Sequence, residues 1–111
     1  MNLFDCVKEA TSAYEIGKKY TRKQIIEDVI RAFPMYKAGS VIPSDYCYNI
    51  SNDGIDFEKW IHLFEHGSRG KYIYLGENCK FTGEVMHHPK GGEGYPCGEW
   101  KDGVYYKSNR T

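Results

Sequence analysis

The chain has 111 residues, 41% of them apolar and 15% aromatic, which is enough for one hydrophobic core and too little for two. Lys plus Arg equals Asp plus Glu at 15 each, so the net charge excludes a general attraction to phosphate and any basic footprint has to be local. No apolar run approaches the ~20 residues that span a bilayer, and the start MNLFDCVKEA lacks the pattern of a secretory signal. A cytoplasmic location is expected, with Cys6, Cys47, Cys79 and Cys97 as reduced thiols rather than disulfides.

Leu3, Phe4, Val7, Ala10, Ala13, Tyr14 and Ile16 recur at helical spacing and predict a first amphipathic helix ended by Gly17. Thr21 opens Thr-Arg-Lys-Gln, in which the hydroxyl caps free backbone donors and Gln24 reaches back, so a second helix should begin there. Ile25, Ile26, Val29, Ile30 and Phe33 give that helix its apolar face, and Pro34 closes it. Gly39 offers a turn and Ser40 a cap before Pro43, which fits only the first turn of a short third helix. Val41, Ile42, Tyr46 and Ile50 would bury against helix two, leaving Ser44, Asp45, Tyr48 and Asn49 outward. Two helices joined by a turn, the second with a polar face, is what a recognition helix requires. The same polar residues also serve as caps and turn formers.

Asn52-Asp53-Gly54 is a turn cluster. A helical turn at Asp56 to Lys59 is expected to run into a strand that pairs with Lys71 to Leu75 across Gly67-Ser68-Arg69-Gly70. That hairpin is a wing whose tip carries Arg69 and Lys71. As a strand, the segment separates His62 and His66 by about 13 Å, which removes the shared metal site a helix would give them. The C-terminal third reads as short strands at Lys80 to Met86, Tyr95 to Trp100 and Val104 to Lys107, with Asp102-Gly103 a hairpin turn and Asn109-Arg110-Thr111 a loose end. Cys79, His87, His88 and Cys97 are zinc-type ligands, but their spacing matches no common finger, so neither a metal nor another cofactor is assigned. The glycines around Lys90 lack the Gly-Lys-Ser/Thr of a phosphate loop. No residue is assigned to catalysis.

Charge is unevenly distributed. Lys18, Lys19, Arg22, Lys23, Arg31 and Lys37 against Glu27 and Asp28 leave a local +4, while Asp45, Asp53, Asp56, Glu58 and Glu65 against Lys59 leave a local −4. The basic side could hold phosphate, or the acidic side could meet a basic partner.

The run from Tyr20 to Gly76, YTRKQIIEDVIRAF, then GSVIPSDYCYN, then IHLFEHGSRGKYIYLGEN, resembles a small, mostly uncharacterised family of bacterial and phage proteins. It is also similar to modules attached to restriction-type endonucleases, and its layout resembles a winged helix-turn-helix. The resemblance covers about half the chain, and PSDYCYN is its most specific piece. Together with the strands read from the C-terminal third and the single core that the length allows, it gives an α+β fold in one domain: winged-helix-like helices with a β-hairpin wing over 1–76, and a β-rich extension over 77–111. By that resemblance Ser44, Tyr46, Tyr48 and Asn49 match the recognition helix, and Arg69 and Lys71 the wing tip. Asp45 departs from the pattern, because a carboxylate there repels phosphate unless it accepts from a cytosine amino group.

The leading expectation is non-catalytic DNA binding, with Lys18, Lys19, Arg22, Lys23 and Lys37 on phosphates and Ser44, Tyr48 and Asn49 facing the groove. The alternative is a protein-interaction module, such as a phage-encoded inhibitor of a host nuclease or defence complex, acting through Asp45, Asp53, Asp56, Glu58 and Glu65.

Overall fold

The computed structural model describes residues 2–108; Asn109-Arg110-Thr111, read above as a loose end, lies outside them. Helix α1, Leu3–Ala10, is capped by Asn2, whose side chain accepts from the Asp5 N–H. It is shorter than its apolar spacing predicts. The Thr11 hydroxyl donates back to the Val7 and Lys8 carbonyls and Ser12 to Glu9, a local bonding pattern that competes with continuing the helix. Strand β1, Lys19–Thr21, follows, an element that no local pattern announces. Helix α2, Arg22–Ala32, begins with the expected capping box: Thr21 accepts from Gln24 N–H at 3.1 Å, and Gln24 accepts from Thr21 N–H at 2.8 Å.

The expected third helix does not form. Two 3-10 turns, Ala38–Ser40 and Pro43–Tyr46, take its place, and the chain then extends into β2, Ile50–Asn52. A 3-10 turn at Phe57–Lys59 leads through extended chain to β3, Phe64–His66, which forms the expected hairpin with β4, Lys71–Tyr74. Strand β1 pairs antiparallel with β4, giving a three-stranded sheet in the order β1-β4-β3. The C-terminal third supplies β5, Gly83–His88, β6, Tyr95–Lys101, and β7, Val104–Lys107. Strand β2 runs parallel to β5, and the second sheet has the order β2-β5-β6-β7. The fold is therefore α+β with two sheets. Among the described residues no helix is long and apolar enough to cross a membrane.

The main core joins α1 and α2 to the inner face of the first sheet through Val7, Ile25, Val29, Leu63, Phe64 and Tyr72. A second, aromatic cluster holds the two sheets together, built from Tyr48, Phe57, His62, Trp100 and Tyr105 with neighbouring ring centroids 4.4–5.4 Å apart. Two of its polar groups are satisfied across the seam. The Trp100 indole N–H donates to the Tyr48 carbonyl at 2.8 Å, and the Tyr48 hydroxyl donates to the Gly76 carbonyl at 2.6 Å.

Tyr105 lies against the β6 backbone where a side chain would not fit. A Cβ on Gly98 would collide with the Tyr105 hydroxyl oxygen and stand 2.7 Å from the ring carbon that bears it. The ring is wedged beside Phe57 and Trp100 and cannot swing away cheaply. Gly98→Ala is expected to cost about 1–3 kcal/mol of stability by overpacking, read as a lower denaturant midpoint; an unchanged midpoint would show that the ring is loosely held.

His62 is buried with both ring nitrogens facing backbone carbonyls, Nδ1 to Cys47 at 3.2 Å and Nε2 to Phe57 at 3.0 Å. A neutral imidazole has one N–H and can serve only one of them. Protonation would serve both, but burial dominates and holds the His62 pKa below its ordinary 6.5. His66 is shifted the same way, first by burial and then by His88. Both groups bind protons more readily in the unfolded chain, so their contribution is complete above pH 6.5 and is lost as pH falls below it. Asp45, raised mainly by burial, acts with the opposite sign and only above its unfolded value of 3.8. The thermal midpoint should therefore drop between pH 7.5 and pH 5.5, and an equal or higher midpoint at the lower pH would contradict the buried-neutral assignment.

Candidate nucleic-acid interface

The register of β1 against β4 decides where the basic residues go. Lys19 lies opposite Ile73 and Thr21 opposite Lys71, so Lys19 and Lys71 share the outer face of the first sheet, while Tyr20 and Tyr72 share the other. Because Thr21 is also the cap of α2, the helix starts at the hairpin tip. The junction is closed by a backbone hydrogen bond from Arg22 N–H to the Gly70 carbonyl, 3.2 Å. Arg22 and Lys23, on the first turn of α2, are thereby brought beside Arg69 and Lys71, some fifty residues later in the chain. All four are exposed.

The hairpin turn presents Arg69 outward by an unusual backbone. Arg69 has φ 57° and Gly70 φ 69°, and Lys71 N–H donates to the Ser68 carbonyl at 3.3 Å. Positive φ at both central residues matches the twist of a tight hairpin and favours Asn or Gly at the first of them. An arginine there costs about 1–2 kcal/mol relative to a relaxed conformation. The start of α2 breaks a second local rule. Its first turn carries no acidic residue and two cations, although the positive end of the helix dipole disfavours cations by roughly 0.3–1 kcal/mol each.

Little neutralises this cluster. Lys23 reaches Glu27 at 3.9 Å, both side chains mostly exposed, a pairing of small effect. Among the described residues no carboxylate lies within 4 Å of the cationic atoms of Lys19, Arg22, Arg69 or Lys71. Glu65 sits on the same sheet face but is separated from Lys19 by Ile73. Lys18 is exposed just before β1, at the end of the sheet away from the junction, its carbonyl accepting from Tyr74 N–H and its ammonium 5.6 Å from the Tyr20 ring centroid. Lys37 is not part of the cluster, since it follows the far end of an 11-residue helix, about 16 Å away along the axis.

The residues expected to face a DNA groove are used for the fold instead. Tyr46 is 2% exposed and Tyr48 3% exposed. Asn49 brackets β3, donating to the His66 carbonyl at 3.0 Å and accepting from the His66 N–H at 2.8 Å. Ser44 and Asp45 both accept from the Asn52 side chain, at 3.0 and 2.8 Å. The expected polar helix face is absent because the chain after Tyr46 turns into strand β2 and takes its tyrosines inward. Nor do the acidic residues form one face. Asp45 and Asp53 line one surface cleft, Asp56 and Glu58 another, and Glu65 lies on β3.

The zinc alternative is not assembled either. His87 and His88 are consecutive on β5 and point to opposite sides. Cys79 N–H bonds the Tyr48 hydroxyl at the sheet seam, whereas Cys97 lines a cleft with His87. Among the described residues no three His, Cys, Asp or Glu side chains could hold a metal ion together.

Comparison with known proteins places the chain without assigning an activity. It is 50% identical over 66 residues to the uncharacterized protein YnaC of Bacillus subtilis (strain 168), an overlap of 59% of this chain and 24% of that protein. The matched region is thus about a quarter of that relative's length. No solved structure matches the chain. A family model described as a domain of unknown function, DUF7225, matches residues 2–107, and the chain belongs to that family.

Proposed function

We propose that this domain binds nucleic acid by phosphate contact, in the manner of a winged-helix-like module whose third helix has been lost. The order helix, strand, helix, then a hairpin, with sheet order β1-β4-β3, supports that reading. The observation that carries it is the meeting of Arg22, Lys23, Arg69 and Lys71 at one junction, two of them at the wrong end of a helix and one in a left-handed backbone. Local rules broken at a single spot mark a place where stability has been yielded to another requirement.

Phosphate contact is assigned to Arg22, Lys23, Arg69 and Lys71, which position the duplex and carry no sequence information, while Lys18 and Lys19, further from the junction, add only long-range attraction. Base reading by Ser44, Tyr46, Tyr48 and Asn49 is not retained, because their side chains are committed within the protein. Fluorescence anisotropy against two duplexes of unrelated sequence tests this. Affinities should agree within a few-fold and fall about 100-fold between 50 and 200 mM salt, as about four phosphate contacts require. Binding to neither duplex, or binding indifferent to salt, would refute the proposal.

A further inference from the structure

We propose that Ser51, His87 and Asp53 form a nucleophilic site for acyl transfer, separate from the basic junction, in an aromatic-walled cleft of the second sheet. Parallel pairing of β2 with β5 sets Ser51 directly opposite His87. The Ser51 Oγ lies 3.0 Å from His87 Nδ1, and the Asp53 carboxylate lies 3.8 Å from His87 Nε2. A hydroxyl in reach of a base, and a base oriented by a third group, is the arrangement that activates a serine. With its N–H on Nε2, toward the Asp53 carboxylate, the ring leaves Nδ1 to accept from Ser51; at 3.8 Å the carboxylate acts through space and not by a hydrogen bond. Asp53 is itself held by the Lys90 N–H at 3.3 Å, and its own N–H donates to the His88 carbonyl at 3.3 Å. A β-bulge between Val85 and Met86 stands immediately before His87, a feature that re-aims side chains at sites of this kind.

Ser51 and His87 open onto a cleft of about 330 Å³ walled by Phe57, Tyr95 and Tyr105. Such a volume takes a small molecule, and its aromatic walls fit a short ester with a planar leaving group. The Tyr105 ring is fixed, but its hydroxyl donates only weakly, 3.4 Å to the Cys97 carbonyl and 3.9 Å from the Cys97 sulfur, so the O–H can rotate to serve a developing oxyanion, with Lys107 at the rim. Cys97 shares the cleft, but burial raises its thiol above the ordinary range and disfavours the thiolate at neutral pH.

In the reaction, Ser51 Oγ bonds to the ester carbonyl carbon while its proton passes to His87 Nδ1. The acyl–oxygen bond breaks and the departing alcohol takes that proton. Water, deprotonated by the same nitrogen, then attacks the acyl-serine, and the carboxylic acid leaves as the proton returns to Ser51.

The full chain is incubated with p-nitrophenyl acetate, with nitrophenolate release followed and the acyl group mapped by peptide mass spectrometry. Acylation of Ser51 is expected, abolished by Ser51→Ala, slowed roughly 100-fold or more by His87→Gln, and retained by Cys97→Ser. Asp53 is exposed, so Asp53→Asn should fold as wild type and lower kcat with little change in KM. No acylation of the folded protein, acylation mapping to Cys97 or to lysines, or wild-type turnover by Ser51→Ala would each overturn the assignment.

Discussion

Tyr48→Ala is expected to lower the unfolding free energy by about 3–5 kcal/mol, the range for removing a large buried aromatic. The residue is 3% exposed and its ring meets Trp100 at 5.3 Å and His62 and Phe81 at 5.4 Å, so truncation opens a void where the two sheets meet. The hydroxyl adds a separate contribution, donating to the Gly76 carbonyl at 2.6 Å and accepting from the Cys79 N–H at 3.0 Å. Tyr48→Phe keeps the volume and strands both backbone groups, which should cost about 1–3 kcal/mol. Urea melts of the two variants separate packing from hydrogen bonding. A surface role in base reading would give the opposite pattern, with nearly unchanged midpoints and a loss of nucleic-acid affinity. A domain at the lower end of the usual 5–15 kcal/mol range would leave Tyr48→Ala partly unfolded at 37 °C, so binding by that variant should be compared at low temperature.

What the chain discloses in advance follows the physics of each segment. The Thr21/Gln24 capping box, the stop at Pro34, the β3–β4 hairpin and the Asp102-Gly103 turn are local devices, carried by residues within a few positions of one another, and they appear as expected. Asp102 and Gly103 both take positive φ, 49° and 84°, as a two-residue hairpin turn requires. Strands β1 and β2 have three residues each, too few for alternation to register. Their partners lie far along the chain, so nothing local announces them. The third helix failed for the same reason: PSDYCYN fits a capped helix by composition, but Ile50 to Asn52 pairs with Met86 to His88 and draws the preceding tyrosines into the core. The basic residues of the candidate interface were visible as residues, while their meeting depended on β1. The Ser51–His87 pairing was not legible at all, since it rests on a parallel register between strands some thirty residues apart.

Replacing Arg22, Lys23, Arg69 and Lys71 together by Ala should flatten the salt dependence of nucleic-acid binding. Four phosphate contacts give a slope of log K against log salt of roughly −3.6, and removing them takes it toward zero. The fold should tolerate the change. All four side chains are exposed, and the only ion pair lost among the described residues is the 3.9 Å contact of Lys23 with Glu27. Removing two cations from the positive end of α2 favours the helix. Arg69→Gly sharpens the test, because the turn holds this position at φ 57°. Glycine accepts that backbone, so relief of the left-handed conformation, less the added freedom of the unfolded chain, should stabilise the protein by up to about 1 kcal/mol. The same substitution removes one phosphate contact and should reduce the slope by about 0.9. Stability and affinity then move in opposite directions through a single side chain. A purely structural arginine cannot produce that divergence, and if Arg69→Gly left the slope unchanged while raising the midpoint, the hairpin tip would have no part in binding.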